Sequence, residues 1–290
     1  FCRKVDRHTV NRRTIEAWIR VGAFDQIEEN RAALLATVGN AIEAAEQAER
    51  SANQVSLFAD DSNDIVEGEL AKVPPWDLQT RLTQEKAGLG FCFSGHLFDA
   101  WRDEVRRFAP KPLARLEASR SLQWFAGVLT SMRPKMTRRG KMLYAVLDDG
   151  SSQVEVAIFN ELYEQHRQRL KEDRLIIIQG KVSNDDYSGG FRVSAESIFD
   201  LQLAREARAR TLRITLNGNA DTVRLRQMLN PFRAEPENGV PGVPVEILLK
   251  RHDFLCTLRL GEEWRVRMAD TLFEQLNGWV EPDGVEIRYS

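Results

Sequence analysis

The chain has 290 residues, 42% of them hydrophobic and 29% charged, which is typical of folded protein and allows two or three domains. Its formal net charge of −2 excludes a uniformly basic nucleic-acid binder, so any such activity must come from local patches. Cys2, Cys92 and Cys256 lack the spacing of a zinc site, and there is neither a secretion signal nor a membrane-length apolar run, which predicts a cytoplasmic protein with reduced cysteines.

The first fifty residues are predicted to be helical. Ile15, Trp18 and Ile19 share one face of a helix that ends at Gly22, and a second helix begins near Asn30. The corner between them is similar to a helix-hairpin-helix hairpin, in which backbone N–H groups beside the glycine contact a phosphate. Three nearby arginines would add positive charge: Arg12, Arg13 and Arg20. A plain helical corner capped by Gly22 explains the same residues, and both interpretations stay open.

Residues 51–72 are predicted to be an acidic, solvated linker, because five acids and no base lie between Ala59 and Ala71. Near its start, Gln54-Val55-Ser56-Leu57-Phe58 places two large apolar side chains where they have no core to enter. We expect this segment to bind a partner's pocket in an extended form. The spacing alone is weak evidence, since it arises by chance in roughly 20% of chains this long.

Residues 73–119 are predicted to form a helical connector. They include His96, which invites a catalytic interpretation. No serine, aspartate or metal-ligating partner lies at a telling distance in the sequence, so a structural role is expected for this histidine.

Residues 120–204 change from helical to alternating periodicity. The pattern predicts three strands, a helix and two further strands, at residues 121–129, 141–150, 153–159, 161–171, 175–182 and 190–197. This order with short hairpins predicts a five-stranded OB-fold barrel.

The first hairpin loop of that barrel, residues 131–141, is predicted to contact nucleic acid. It holds five bases and no acid: Arg133, Lys135, Arg138, Arg139 and Lys141. A hairpin does not need five cations to fold, and this loop flanks the OB-fold face on which oligonucleotides lie. Tyr144, Phe159 or Phe191 would offer rings for bases to stack on, although each ring fits the barrel core equally well.

Residues 205–290 are predicted to form a small α+β domain, so the fold class is multidomain and mixed. Strands are predicted at residues 211–216, 245–250, 254–260, 263–266 and 285–289, and helices at residues 221–230 and 270–276. This part of the sequence has no glycine-rich phosphate loop, no acidic pair suited to acid–base chemistry and no metal cluster. Binding of a partner is therefore expected there in preference to catalysis.

Several stretches, in this order, resemble the C-terminal region of the alpha, or catalytic, subunit family of bacterial DNA polymerase III, the replicative C-family polymerases. They are residues 12–25, 54–58, 89–96, 137–141, 147–149 and 182–190. The stretch 89–96 ordinarily continues with proline in that family, whereas Leu97 follows it here.

The resemblance implies three attachments for a replicative subunit. Gln54, Ser56, Leu57 and Phe58 would bind the sliding clamp (beta). The OB-fold would lie near single-stranded and primer-template DNA, and the last domain would bind the clamp-loader tau subunit. The chain begins without methionine, and the polymerase carboxylates with their Mg²⁺ are expected upstream of Phe1. No catalytic residue, metal or cofactor is therefore expected in this stretch, which would work in the bacterial cytoplasm at the nucleoid.

Two other interpretations are open. The OB-fold also resembles the anticodon-binding domain of class II aminoacyl-tRNA synthetases, although the chain lacks the ATP-binding motifs of those enzymes. A protein-interaction scaffold that makes no DNA contact is the other possibility, and DNA affinity would decide between them.

Overall fold

A computed structural model describes residues 1–6, 9–53, 69–137, 140–184, 191–217, 221–234 and 242–289. These residues fall into two units, Phe1–Ala100 and Trp101–Ser290, so the division lies within the predicted connector 73–119. Among the described helices, none is both long enough and apolar enough to cross a membrane.

The first unit contains three helices, α1 (Arg12–Arg20), α2 (Arg31–Asn53) and α3 (Leu78–Leu89). Asn11 begins α1 and Asp77 begins α3 by accepting a hydrogen bond from a first-turn N–H, as N-cap residues do. The predicted buried face of α1 is confirmed for Ile15 and Ile19, which pack with Val38 of α2. Trp18, expected on the same face, is exposed and contacts Phe1 edge-on, because it lies at the rim of the apolar stripe.

The second unit begins with a short helix, α4 (Arg102–Val105), followed by the predicted barrel. Its elements are β1 (Gln123–Thr137), β2 (Gly140–Asp148), β3 (Gln153–Phe159), α5 (Asn160–His166), β4 (Leu175–Asn184) and β5 (Phe191–Phe199). The strands close in the order β1-β2-β3-β5-β4, so the predicted OB-fold is confirmed. Alternating positions such as Leu143, Ala145 and Leu147 fill the interior.

Closure of the barrel depends on β1, which pairs with β4 over residues 123–128 and with β2 over residues 128–137. The register of the β1–β2 ladder shifts between Leu129 and Ser131. A second shift lies in the β4–β5 ladder at Gly180, where an added Cβ would overlap the Ser194 carbonyl oxygen. Barrel strands bend at such irregular positions. At position 180 the backbones of β4 and β5 approach so closely that only glycine fits.

The C-terminal domain contains a second sheet in the order β8-β7-β6-β9. Its strands are β6 (Ala209–Leu216), β7 (Val245–Lys250), β8 (Leu255–Arg259) and β9 (Val285–Tyr289); the helices of this part are α6 (Leu201–Arg208), α7 (Thr222–Leu229) and α8 (Asp270–Asn277). The α+β prediction is confirmed, with β6 and β7 parallel. The strand expected at residues 263–266 was wrong: Glu262–Trp264 is a 3₁₀ turn, and only Val266 makes isolated bridges.

Within the second unit, a buried arginine joins a helix that precedes the barrel in the chain to helices that follow it. Arg205 of α6 pairs with Glu104 of α4 and with Asp270 of α8, at 2.5 Å in each case. The Tyr289 hydroxyl of β9 donates to the same Glu104 carboxylate at 2.8 Å. Burial, and then the charge of Glu104, raise the pKa of Tyr289, so the phenol stays protonated as a hydrogen-bond donor.

Gly180→Ala should destabilise the barrel by about 1–3 kcal/mol, because the added methyl group overlaps the Ser194 carbonyl and the strands must move apart. Gly39→Ala is the matched control: outside its own helix backbone, the added Cβ would come no closer than 3.7 Å to another atom, in the Arg12 guanidinium, and alanine favours the α2 helix by up to about 1 kcal/mol. Calorimetry of both variants tests this. An unchanged barrel transition in Gly180→Ala would contradict the assigned closure.

Candidate nucleic-acid interface

The basic segment predicted as a loop at residues 131–141 is mostly a two-stranded ribbon. Strand β1 continues to Thr137, which pairs with Gly140 at the start of β2. The loop prediction was therefore wrong for most of this segment. The segment contains Pro134, but in this stretch β1 pairs only with β2 among the described strands, and an edge strand tolerates proline.

The strand register brings two of the predicted cations beside two aromatic rings. Arg133 lies opposite Tyr144, and Lys135 lies opposite Met142, which in turn lies opposite Phe159 of β3. These side chains share the outer face, because the alternate positions of β2 are buried in the barrel. The Lys135 Nζ is 5.4 Å from the centroid of the Tyr144 ring, a cation–π contact.

The exposure of the rings separates the three aromatic candidates. Phe159 is 46% exposed and Tyr144 is half-buried on the outer face. Phe191 is 53% exposed, but it begins β5 on the same side as Val193, which is buried in the barrel. The structure therefore groups Tyr144 and Phe159 with the ribbon cations and leaves Phe191 on the other side of the sheet.

Arg138 and Arg139 lie outside the described residues, and Lys141 is placed by its backbone alone, opposite Met136. Sequence reasoning did not select Arg192, an exposed residue of β5 opposite Ser183 of β4. Neighbouring residues of a strand point to opposite faces, so an apolar, buried Val193 places Arg192 on the outer face. This alternation is the signal that would have identified Arg192.

The outer face combines the two features that bind single-stranded nucleic acid without regard to sequence. Exposed cations attract phosphates, and exposed rings stack on bases, each ring contributing about 1–3 kcal/mol per base. In OB-folds the face of the second and third strands is the usual location of such contacts. Tyr144 on β2 and Phe159 on β3 occupy that face.

The corner between α1 and α2 is a capped helical corner. The N–H groups of Val21, Gly22 and Ala23 all donate to carbonyls of α1, at 2.9–3.1 Å. Gly22 has φ +83°, a left-handed conformation that glycine adopts without strain at a helix end. These N–H groups are therefore already used in the corner, so a phosphate bound here would rely on side chains.

The three arginines of this corner remain predicted phosphate contacts. Arg12 and Arg20 both pair with Glu16, at 2.8 and 3.5 Å, and Arg13 is exposed. Ion pairing with Glu16 reduces the net positive charge that α1 offers to a phosphate. The role of Gly22 and of these arginines in nucleic-acid binding stays a prediction.

A buried ion pair holds this corner to α3. Arg31 donates to Glu85 at 2.9 Å, to both Asp25 oxygens at 2.6 and 2.8 Å, and to the Arg20 carbonyl at 3.1 Å. Glu85 also accepts hydrogen bonds from the Phe93 N–H and from the N–H and hydroxyl of Ser94, at 2.6–2.9 Å. Burial alone would raise the pKa of Glu85, but these hydrogen bonds outweigh it and lower the pKa to about 2.

Other candidate residues give no catalytic arrangement. The ring Nδ1 of His96 accepts the Phe98 backbone N–H at 3.1 Å, and the backbone N–H of His96 donates to the Asp99 carboxylate at 2.8 Å, which is a structural use of the histidine. Within the described ranges, no cluster of His, Cys, Asp or Glu could hold a metal ion. The partner-binding segment, Gln54, Ser56, Leu57 and Phe58, lies outside the described residues.

Two family models match parts of the second unit. Residues 123–201 match an OB-fold nucleic acid binding domain, and residues 224–280 match the C-terminal domain of DNA polymerase III subunit alpha. The first match covers the barrel described above, and the second covers most of α7 and all of β7, β8 and α8 of the C-terminal domain.

Relatives match the chain over its whole length. It is 37% identical to the DNA polymerase III subunit alpha of Neisseria meningitidis serogroup A, 33% to that of Pseudomonas aeruginosa and 32% to that of Escherichia coli K12. All of this chain is covered in each case, and it spans 25%, 26% and 25% of the length of these relatives.

Loss of the Glu85 charge should destabilise the first unit. The pKa of this carboxyl is lower in the folded chain than its ordinary value of 4.5, so the ion pair stabilises above about pH 4.5 and is lost as the pH falls towards 2. Glu85→Gln should therefore cost on the order of 3 kcal/mol at pH 7 and less at pH 3.

Calorimetry of the whole chain at the two pH values measures this difference. Glu43→Gln, which neutralises an exposed carboxylate on α2, serves as the control and should change stability by less than about 0.5 kcal/mol. An equal destabilisation by Glu85→Gln at both pH values would show that the charge of Glu85 is not what matters.

Proposed function

Because this chain matches the C-terminal region of DNA polymerase III alpha subunits from its first residue to its last, we propose that it is a non-catalytic part of a replicative polymerase. It binds single-stranded template DNA through the barrel, the sliding clamp through Gln54-Val55-Ser56-Leu57-Phe58, and the clamp-loader tau subunit through the C-terminal domain. Nucleotidyl transfer and its Mg²⁺ belong to the part of the relatives that this chain does not span. The site of action is the bacterial nucleoid.

The grouping of Arg133, Lys135, Tyr144 and Phe159 on one face is the observation that carries the DNA-binding proposal. Both cations are exposed, so phosphates reach them without moving the barrel core. The contact needs no base-edge readout, which suits a template strand whose sequence varies. Strong salt dependence follows, because each phosphate contact releases a condensed counterion.

The clamp proposal rests on the chemistry of the segment that follows α2. Gln54 hydrogen-bonds at the rim of a pocket, while Leu57 and Phe58 each bury an apolar side chain and stabilise the complex by roughly 1.5–3 kcal/mol before ordering costs. Such a contact is of about micromolar strength and exchanges readily. DNA contacts elsewhere in the chain would raise its effective affinity.

The barrel prediction is tested with a single-stranded oligonucleotide. Tyr144→Ala and Phe159→Ala should each lower affinity by about 1–3 kcal/mol, because each removes a stacking surface. Phe93→Ala is the matched control, since Phe93 is 75% exposed but lies in the first unit. Fluorescence anisotropy at low salt gives the affinities, and equal losses in all three variants would contradict the site.

Charge removal tests the phosphate contacts separately. Arg133→Gln combined with Lys135→Gln should reduce the salt slope of single-strand binding by about 1.4, or about 0.7 for each contact. The matched control is Arg115→Gln with Lys111→Gln, which removes the same amount of charge. These two residues flank Leu113, whose N–H donates to Asp149 just after the end of β2, away from the ribbon. The control should leave the salt slope unchanged. Undetectable DNA binding by the unaltered chain at low salt would favour the scaffold interpretation.

The clamp prediction is tested on the whole chain. Leu57→Ala with Phe58→Ala should abolish clamp binding, because both apolar anchors are lost, while DNA affinity of the barrel is retained. Val55→Ala removes an apolar side chain from the same segment and should bind within a few-fold of the unaltered chain. Surface plasmon resonance with immobilised clamp gives the values; full binding by the double variant rules out this attachment.

A further inference from the structure

Strand β8 is an open edge of the C-terminal sheet. The sheet order β8-β7-β6-β9 places it at one end, and no described strand pairs with its outer side. Edge strands expose unpaired N–H and C=O groups, which another chain can use for pairing. Only five residues form β8, so the open groups belong to a short and definable set.

The hydrogen bonds of the hairpin identify these open groups. The Arg251 N–H donates to the Phe254 carbonyl, and the Leu260 N–H donates to the Val245 carbonyl. In an antiparallel ladder, hydrogen-bonded residue pairs alternate with pairs that are not hydrogen-bonded. Because Phe254 and Leu260 belong to hydrogen-bonded pairs, the backbone groups of Cys256 and Leu258 also bond to β7. The N–H and C=O groups of Leu255, Thr257 and Arg259 therefore point away from the sheet.

Apolar side chains stand on both faces of this edge. Leu255 is 66% exposed on one face, and Leu258 is 46% exposed on the other, the face that Phe254, 44% exposed, shares by strand alternation. None of the three belongs to the domain's core, which includes residues of β6, β7, α7 and α8. A strand added beside β8 would cover apolar surface on both faces of the sheet.

Charge defines the chemistry of the occupant. Exposed cations lie at both ends of the edge, Lys250 and Arg251 at the hairpin and Arg259 at the far end, and Asp253 is the only acid from residue 250 to residue 259. Rows of cations oppose edge-to-edge pairing with a second copy of this chain, which would bring like charges together. An acidic strand meets no such repulsion.

We propose that β8 receives an extended segment of the clamp-loader tau subunit, in which acidic and apolar residues alternate, as an added fifth strand of the sheet. The identity of the partner rests on the proposed function, whereas the edge rests on the hairpin geometry. Backbone groups of Leu255, Thr257 and Arg259 pair with the segment, and Leu255 and Leu258 contact its apolar side chains.

Residue-resolved amide exchange of the intact chain, with and without the tau subunit, tests the pairing directly. On binding, exchange at Leu255, Thr257 and Arg259 should slow at least tenfold, while Cys256 and Leu258 are already protected in the free chain. Slowing at none of the three, in a sample saturated with tau, would overturn the edge as the docking site.

A backbone variant gives the second measurement. Thr257→Pro removes an outward N–H without breaking a bond to β7 and should weaken tau binding at least tenfold, whereas the matched Thr257→Val should bind like the unaltered chain. Equal binding by the proline and valine variants would overturn the proposal. Binding of single-stranded DNA but not of tau by the unaltered chain would reject tau as the partner of β8 and would also reject tau binding in the proposed function. It would leave the proposal of DNA binding by the barrel intact.

Discussion

The double pairing of β1 is the constraint on which the second unit depends. One strand of fifteen residues pairs first with β4, which closes the barrel, and then with β2, which forms the ribbon. A sheet that closes this way must bend, and the register shifts at Leu129 and Gly180 absorb the bend. Because the ribbon continues the strand that closes the barrel, the barrel fixes the positions of Arg133 and Lys135 relative to Tyr144 and Phe159. The candidate interface is thus a consequence of closure.

Buried guanidinium groups organise each unit. In the first, Arg31 joins the helical corner to Glu85 of α3, and the Glu85 carboxylate in turn binds the backbone at Phe93 and Ser94. In the second, Arg205 joins α4 to α8 through Glu104 and Asp270. Desolvation makes buried ion pairs poor sources of net stability, but removal of one partner is costly. We interpret both as devices that fix the relative positions of elements within a unit.

The three proposed contacts are weak and separate, which suits the replicative role proposed above. Stacking on two rings, a micromolar clamp contact and an added strand at β8 would each exchange quickly alone. Joined in one chain they would act at high effective concentration, so the proposed assembly would hold while single contacts break. The described residues that carry the DNA and strand-pairing proposals form two surfaces: an outer barrel face and a sheet edge.

The sequence by itself determined the elements and their order. Alternating apolar residues defined the five barrel strands and most strands of the last domain, because a half-buried strand must repeat every two residues. Five bases in eleven residues located the candidate interface. Tertiary structure alone decided the rest: that residues 131–137 extend a strand, that Phe191 faces away from Tyr144, and that Glu263–Val266 is not a strand. Pairing partners and ladder register set these features, and residues far apart in the chain supply them, so local periodicity could not reveal them.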